Sequence, residues 1–281
     1  MAKSGMIESD IRFFVLPPTQ DLQEWFFALK ASAEGQGLNV VEVLTGNEQI
    51  ASEDVLLTSD LDFARLAGAN EANSIVLQLE PFVSLQDCAL ADIPFRVLDV
   101  TRKIAAAHDF KGRSVPIDGS LPSPFARFSA PNGSLRTPST LEEDFRNALA
   151  FLEKGSAEWS PAIFSYSKSS GGSEDVGVVD ITGRPGLIVY GPYIFLTRGV
   201  WRVTVRLAFD VDAAQKPYQI QWGSSESYAA YDFVPHRSGI FEISMEHDWT
   251  SHAASEVRVM LLEGAFHGTL TLLGVKMERA S

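Results

Sequence analysis

The chain has 281 residues, 45% of them hydrophobic and 21% charged, which is globular composition with room for one large domain or two ordinary ones. A formal net charge of −13 leaves no basic footprint for nucleic acid and no electrostatic hold on an anionic membrane surface, so neutral ligands, cations and proteins remain as partners. The one cysteine, Cys88, has no partner for an intramolecular disulfide; within SLQDCALADI it reads as a small buried hydrophobe in a reducing compartment.

The opening MAKSGMIESDIRFFVLPP holds no apolar run long enough for a secretory signal, because residues 11–16 are broken by Arg12 and stopped by Pro17. No segment approaches the roughly 20 apolar residues of a membrane span. A cytoplasmic location is expected.

Residues 11–16 read as a buried strand. A helix follows, with Leu22, Trp25, Phe26 and Leu29 at helical spacing, Asp21 near its N-cap and Gly35 or Gly37 at its end. Residues 38–44, 54–59 and 74–81 are further strands, with a short helix, DFARLAGA, before the last. IPFRVLDV, residues 93–100, reads as a fifth apolar run leading into TRKIAAAHDF. Short unbroken apolar strands alternating with helices predict a parallel, helix-covered sheet, so residues 1–110 are expected to form an α/β domain that resembles a Rossmann-like half. Ligands favour the carboxyl ends of such strands, which here carry Pro17, Thr45, Gly46, Ser59, Asp60, Glu80 and Asp99. The first turn is LPPTQD, where prolines replace the glycines that a dinucleotide needs, which disfavours NAD or FAD.

Asp60 and Asp62 follow the strand VLLTS in SDLDF. The pair resembles the Asp-x-Asp element of nucleotide-sugar glycosyltransferases, which implies a divalent metal such as Mn or Mg held against a diphosphate. Helix capping by Ser59 or Asp60, with Asp62 in the first turn, explains the same spacing and is preferred.

Residues 111–160 read as a linker and a connecting helix. The linker is irregular and holds five prolines, and its Phe125 and Phe128 suggest that it packs on something. Ser139 or Thr140 caps the helix, Glu142 and Glu143 occupy its first turn, Leu141, Phe145, Leu149 and Leu152 form its apolar stripe, and Gly155 closes it. Ser165 and Lys168 stand in Ser-x-x-Lys spacing, but in a polar, glycine-bearing loop where chance explains them.

From residue 161 to 281 the texture is that of strands and turns, and a two-sheet β-sandwich of jelly-roll type is expected. Its defining stretch is residues 191–210, GPYIFLTRGVWRVTVRLAFD: a tight turn, a short strand, a second turn and a long alternating strand. Trp201, Val203, Val205, Leu207 and Phe209 share one face, and Arg202, Thr204 and Arg206 the other. This stretch and the closing EVRVMLLEGAFHGTLTLLGVKMER resemble the core strands of carbohydrate-binding β-sandwich modules, including those appended to bacterial proteins of surface-polysaccharide synthesis. Trp201 stands where such modules commonly have Tyr, and there is no calcium-ligand signature, so metal dependence does not carry over.

The resemblance implies sugar binding through aromatic rings and planar polar side chains. Trp201 and Phe209 are expected in the core. Tyr193, Trp222, Tyr228, Tyr231 and Trp249 are expected in turns as sugar-facing rings. Arg202 and Arg206, with Gln219, Gln221, Glu242 and Arg258, alternate outward and line a polar face, for which an ordinary ladder of cross-strand charges is the stronger reading. His236, His247, His252 and Asp248 match no metal-ligand spacing, and HDWTSH reads as a loop.

The function expected is carbohydrate recognition, or an accessory role, in bacterial polysaccharide metabolism, without catalysis and without a cofactor. The alternatives are a metal-dependent sugar transferase using Asp60 and Asp62, or a structural module that binds a protein partner or a second copy of itself.

Overall fold

The structure is a computed structural model and describes residues 12–15, 22–43, 55–58, 61, 74–76, 85, 88–109, 139–167 and 176–280. The chain divides into two compact units, Met1–Ser84 with Ala106–Thr137, and Leu85–Ala105 with Pro138–Ser281.

Among the described residues the first unit holds four parallel strands, β1 (Arg12–Val15), β2 (Val40–Val43), β3 (Val55–Thr58) and β4 (Ser74–Val76), in the order β2-β3-β1-β4. Strand β3 is buried at all four positions, the unbroken pattern of a strand covered on both faces. The parallel sheet is the one expected, but β3 takes the place beside β1 that β2 has in the dinucleotide-binding order 3-2-1-4. Helix α1 (Leu22–Glu34) buries Leu29 and Ala33 and ends at Gly37. Gly37, at φ 71°, donates to Glu34 O while Leu38 donates to Ala33 O, the paired bonds of a Schellman cap that a β-carbon would strain.

Residues 93–100, expected as a fifth strand, open helix α2 (Ile93–Asp109) instead. Val97, Val100, Thr101, Ile104 and Ala105 are buried at i, i+3, i+4, i+7 and i+8. The eight residues of IPFRVLDV fit a short strand, and the helical period emerges only when the window extends to Ala105. Thr101 Oγ1 accepts a hydrogen bond from the Phe195 amide at 3.3 Å, a bond within the second unit, to which Leu85–Ala105 belongs.

The connecting helix is broken in two, α3 (Thr140–Ala148) and α4 (Phe151–Lys154), and Gly155 at φ 70° ends the second piece. The break follows Leu149, whose amide is shared between Phe145 O and Arg146 O. Ser139 Oγ accepts from the Glu142 amide and Glu142 Oε2 accepts from the Ser139 amide, completing the expected cap. Glu142 is 1% exposed and also accepts from the Leu85 amide at 3.0 Å, so one buried carboxylate pins two distant segments.

The rest of the second unit is a two-sheet β-sandwich. One sheet runs β11-β10-β13-β8-β6, from Ser227–Phe233, Tyr218–Ser224, Ala253–Leu261, Gly186–Leu196 and Ser165–Tyr166. The other runs β12-β9-β14-β5, from Gly239–Trp249, Gly199–Phe209, Thr269–Arg279 and Ser156–Trp159, with β7 (Val178–Asp180) on β14. Consecutive long strands cross between sheets, from β8 to β9, from β9 to β10 and again from β11 through to β14. Trp201, Val203, Val205, Leu207 and Phe209 are at most 3% exposed, so the alternating stretch builds the core as read. Phe209 closes on Tyr218 of the facing sheet at 4.9 Å between ring centres. Each such large side chain contributes roughly 1.5–3 kcal/mol by leaving water.

Two local readings are corrected. The loop expected around HDWTSH starts later, since His247, Asp248 and Trp249 end strand β12. The tight turn expected at Gly191 and Pro192 is a bulge inside a continuous β8. Val189 and Gly191 pair with the inward Val259 and Val257, Pro192 pairs with the outward Glu256, and Ile194 pairs with the inward Ser255. At this bulge Tyr193 is the extra residue, as Ile188 is at a second shift between Val259 and Met260, and Tyr193 flips the alternation so that Ile194 and Leu196 are also buried.

Candidate functional site

The outer face of the β11-β10-β13-β8-β6 sheet follows from alternation. Tyr218, Ile220 and Trp222 of β10 point into the core at 0% exposure, so Gln219, Gln221 and Gly223 are on the other side. Their neighbours on β13 are Met260, Arg258 and Glu256, and on β11 Asp232, Ala230 and Tyr228. Tyr190 lies beside Arg258 on β8.

Tyr228 and Arg258 of this face, with Tyr193 of β8, converge on Glu256, which is only 4% exposed. Its Oε1 accepts from the Tyr193 hydroxyl at 2.9 Å; its Oε2 accepts from the Tyr228 hydroxyl at 2.7 Å and from Arg258 Nε at 2.8 Å. Arg258 Nη2 approaches the same oxygen at 2.7 Å, and its guanidinium lies 4.5 Å from the Tyr228 ring centre. A buried carboxylate held this way is compensated by charge-assisted bonds, each worth about 1.5–3 kcal/mol net.

Tyr228 reaches Glu256 from two strands away because the residue between them is Gly223. A β-carbon there would sit 2.0 Å from Ser227 O and 2.7 Å from Tyr228 Cα. Strands are about 4.8 Å apart, so the tyrosine crosses the glycine's empty place to meet the carboxylate. Tyr193 arrives from the opposite side at φ 62°, a left-handed conformation that a bulky residue rarely adopts.

Burial first, and Glu256's hydrogen bond second, raise the Tyr193 phenol and push Tyr228 up to about 12. The bond to Glu256 raises Arg258. Both phenols therefore stay neutral donors and the guanidinium stays charged. Beside them runs a chain of planar groups, Gln221 Nε2 donating to Gln219 Oε1 at 2.6 Å and Gln219 Nε2 donating to Asp232 Oδ1 at 2.7 Å. The face is a fixed array of donors and acceptors whose carboxylate is already saturated, an arrangement suited to holding a polar neutral molecule.

The residues expected to bind sugar separate. Tyr193 and Tyr228 meet at Glu256, on strands β8 and β11 and not in turns. Tyr231 is on the opposite side of β11, 51% exposed, stacked on Phe233 with ring centres 6.1 Å apart. Trp222 and Trp249 are interior, at 0% and 2% exposure and 6.0 Å apart, and Trp222 Nε1 donates to Ser255 Oγ. Their rings fall in phase with Ile220 and Met245 and present nothing to solvent. Arg202 and Arg206 stand on the outer face of the other sheet, in ion pairs with Glu246 and Glu278 and with Glu242.

His247 lies between Trp222 and Trp249, its pKa lowered by burial, while His236 is exposed. No group of three or more metal-ligating side chains occurs among the described residues. Cys88 is half-buried, and Asp60, Asp62 and Lys168 lie outside the described residues. Glu256 and Tyr190 escaped the sequence reading, although the alternation in SEVRV places Glu256 and Arg258 opposite Val257 and Val259.

No protein-family model matches the chain, and no curated protein matches it. Among solved structures it is similar to a CBM61 module in complex with β-1,4-galactotriose, at 10% identity over 46% of this chain and 84% of that one, with a TM-score of 0.30. It is similar to a xylan-binding module, CBM15, at 13% identity over 45% and 97%, with a TM-score of 0.30. It is also similar to the CBM35 of Abf62 from Cellvibrio japonicus, at 9% identity over 42% and 83%, with a TM-score of 0.27. All three are carbohydrate-binding modules, the class that the C-terminal sequence resembles.

Proposed function

We propose that this protein recognises carbohydrate on the outer face of the β11-β10-β13-β8-β6 sheet and does so without catalysis. The observation that carries the reading is the convergence of Tyr193, Tyr228 and Arg258 on the buried Glu256, next to Gln221, Gln219 and Asp232. Sugar hydroxyls both donate and accept, and planar amides, guanidinium and phenol groups match them at fixed positions. The tyrosine rings add surface for apolar sugar faces.

The proposed setting is bacterial polysaccharide metabolism in the cytoplasm, with the first unit as a Rossmann-like partner domain. The sequence resemblance to modules of surface-polysaccharide proteins and the parallel order of β1 to β4 support it. No described helix is long and apolar enough to cross a membrane. The sugar-transferase reading rests on Asp60 and Asp62 alone.

A glycan array followed by calorimetry tests the proposal. A neutral oligosaccharide should bind, Gln221→Ala should weaken it at least about 10-fold, the loss of one or two hydrogen bonds, and Arg206→Ala should leave it unchanged. Absence of binding to every glycan, or equal loss in both variants, removes the reading.

A further inference from the structure

At the β8 end of this face lies a second feature, a cavity of about 210 Å³ within the second unit. Val97 from α2, Leu141 and Phe145 from α3, Ile163 and Phe164 from the 3₁₀ turn at 161–163 and its end, and Tyr193 from β8 line it, and it opens to the surface. None of the described side chains that line it is charged, and Ser165 adds one hydroxyl beside that of Tyr193. Taking an ion or a phosphate into such a lining would leave charge without a counterpart, which is strongly unfavourable. An apolar cavity of about 150 Å³ lined by Leu, Ile and Phe holds benzene, so this one has room for about six carbon atoms and some slack.

The cavity and the polar face share Tyr193, which lines the one and donates its hydroxyl to Glu256 on the other. Pro192, in the same bulge, lines the cavity and pairs with Glu256 across the sheet. We propose that this cavity takes an uncharged apolar substituent of about six carbons, an aryl or short acyl group, carried by the sugar that the face binds. The ligand class is thereby narrowed from plain oligosaccharide to a glycoside or sugar ester with an apolar arm. This rests on the carbohydrate reading, but the cavity has a test of its own.

The sugar-free probe is 4-fluorobenzyl alcohol, titrated into the full chain and followed by its ¹⁹F line width. The line should broaden at millimolar alcohol, and Leu141→Phe and Ala162→Phe, each at a half-buried lining position, should each sharpen it again while Gln221→Ala does not. A line that never broadens, or broadens equally in both filled variants and the parent, overturns the site. Phenyl β-glucoside should then bind at least about 10-fold tighter than methyl β-glucoside, the worth of burying one ring. Equal affinities, both undetectable included, overturn the link to the sugar. Alcohol binding with a silent glycan array removes the carbohydrate reading and leaves the cavity as an apolar site. Glycan binding without alcohol binding does the reverse.

Discussion

The two outer faces of the sandwich use nearly the same residue types and do opposite things with them. On the β12-β9-β14-β5 sheet, Arg202 and Arg206 pair across strands with Glu246 and Glu242, all with side chains between 44% and 61% exposed. On the other sheet, Arg258 pairs with a Glu256 side chain that is 5% exposed and is shared with two tyrosines. The first arrangement is a ladder of exposed ion pairs in water, each worth about 0–1 kcal/mol. The second is one unit, in which losing a partner leaves the buried Glu256 carboxylate under-matched. Charge on a strand therefore says little by itself; what lies over it decides.

The largest expected effect comes from Glu256→Ala, which strands a guanidinium and two phenols and should cost about 3 kcal/mol in urea unfolding. A loss below about 1 kcal/mol, typical of surface pairs, would place this network with the exposed ladder. Next is Tyr228→Phe, which removes one bond to the carboxylate and should cost about 1–2 kcal/mol. The same variant should change the pH profile. A phenol raised from near 10 to about 12 in the folded chain stabilises the fold below pH 10 and loses that contribution as pH climbs from 10 to about 12. Tyr193 shifts in the same direction, so the Tyr193→Phe, Tyr228→Phe double variant should lose stability less steeply over that interval than the parent. An unchanged slope would mean that burial and the bond to Glu256 do not raise the two phenols. Smallest is Arg206→Ala, expected within about 0.5 kcal/mol of the parent and insensitive to salt beyond that. A larger loss would show that the ladder acts as a network after all.

Much of the sandwich was legible because its strands are half-buried and therefore alternate. Trp201 to Phe209 in β9 announces which side is core, and the same count applied to Tyr218, Ile220 and Trp222 puts Trp222 inside. Treating Trp222 and Trp249 as turn residues gave ring chemistry priority over phase. Alternation also placed Gln219, Gln221 and Arg258 outward, yet not the cluster at Glu256, because that cluster is defined by what two other strands, β8 and β11, bring to it. Helix α2 was misread since its apolar opening is shorter than the window that separates the two periods. The bulge in β8 was invisible for a different reason. Gly191-Pro192 is a strong local sign of a turn, and only the partner strand shows that the chain continues.

That bulge has a consequence for how Tyr193 came to its place. Taken out of the chain, Tyr193 would leave Gly191 inward, Pro192 outward and Ile194 inward, an unbroken ladder against Val257, Glu256 and Ser255. The sheet does not require this residue for its register; it is a supernumerary position between two halves that would join without it. What the insertion adds is a phenol delivered to Glu256 and a wall for the cavity beside it.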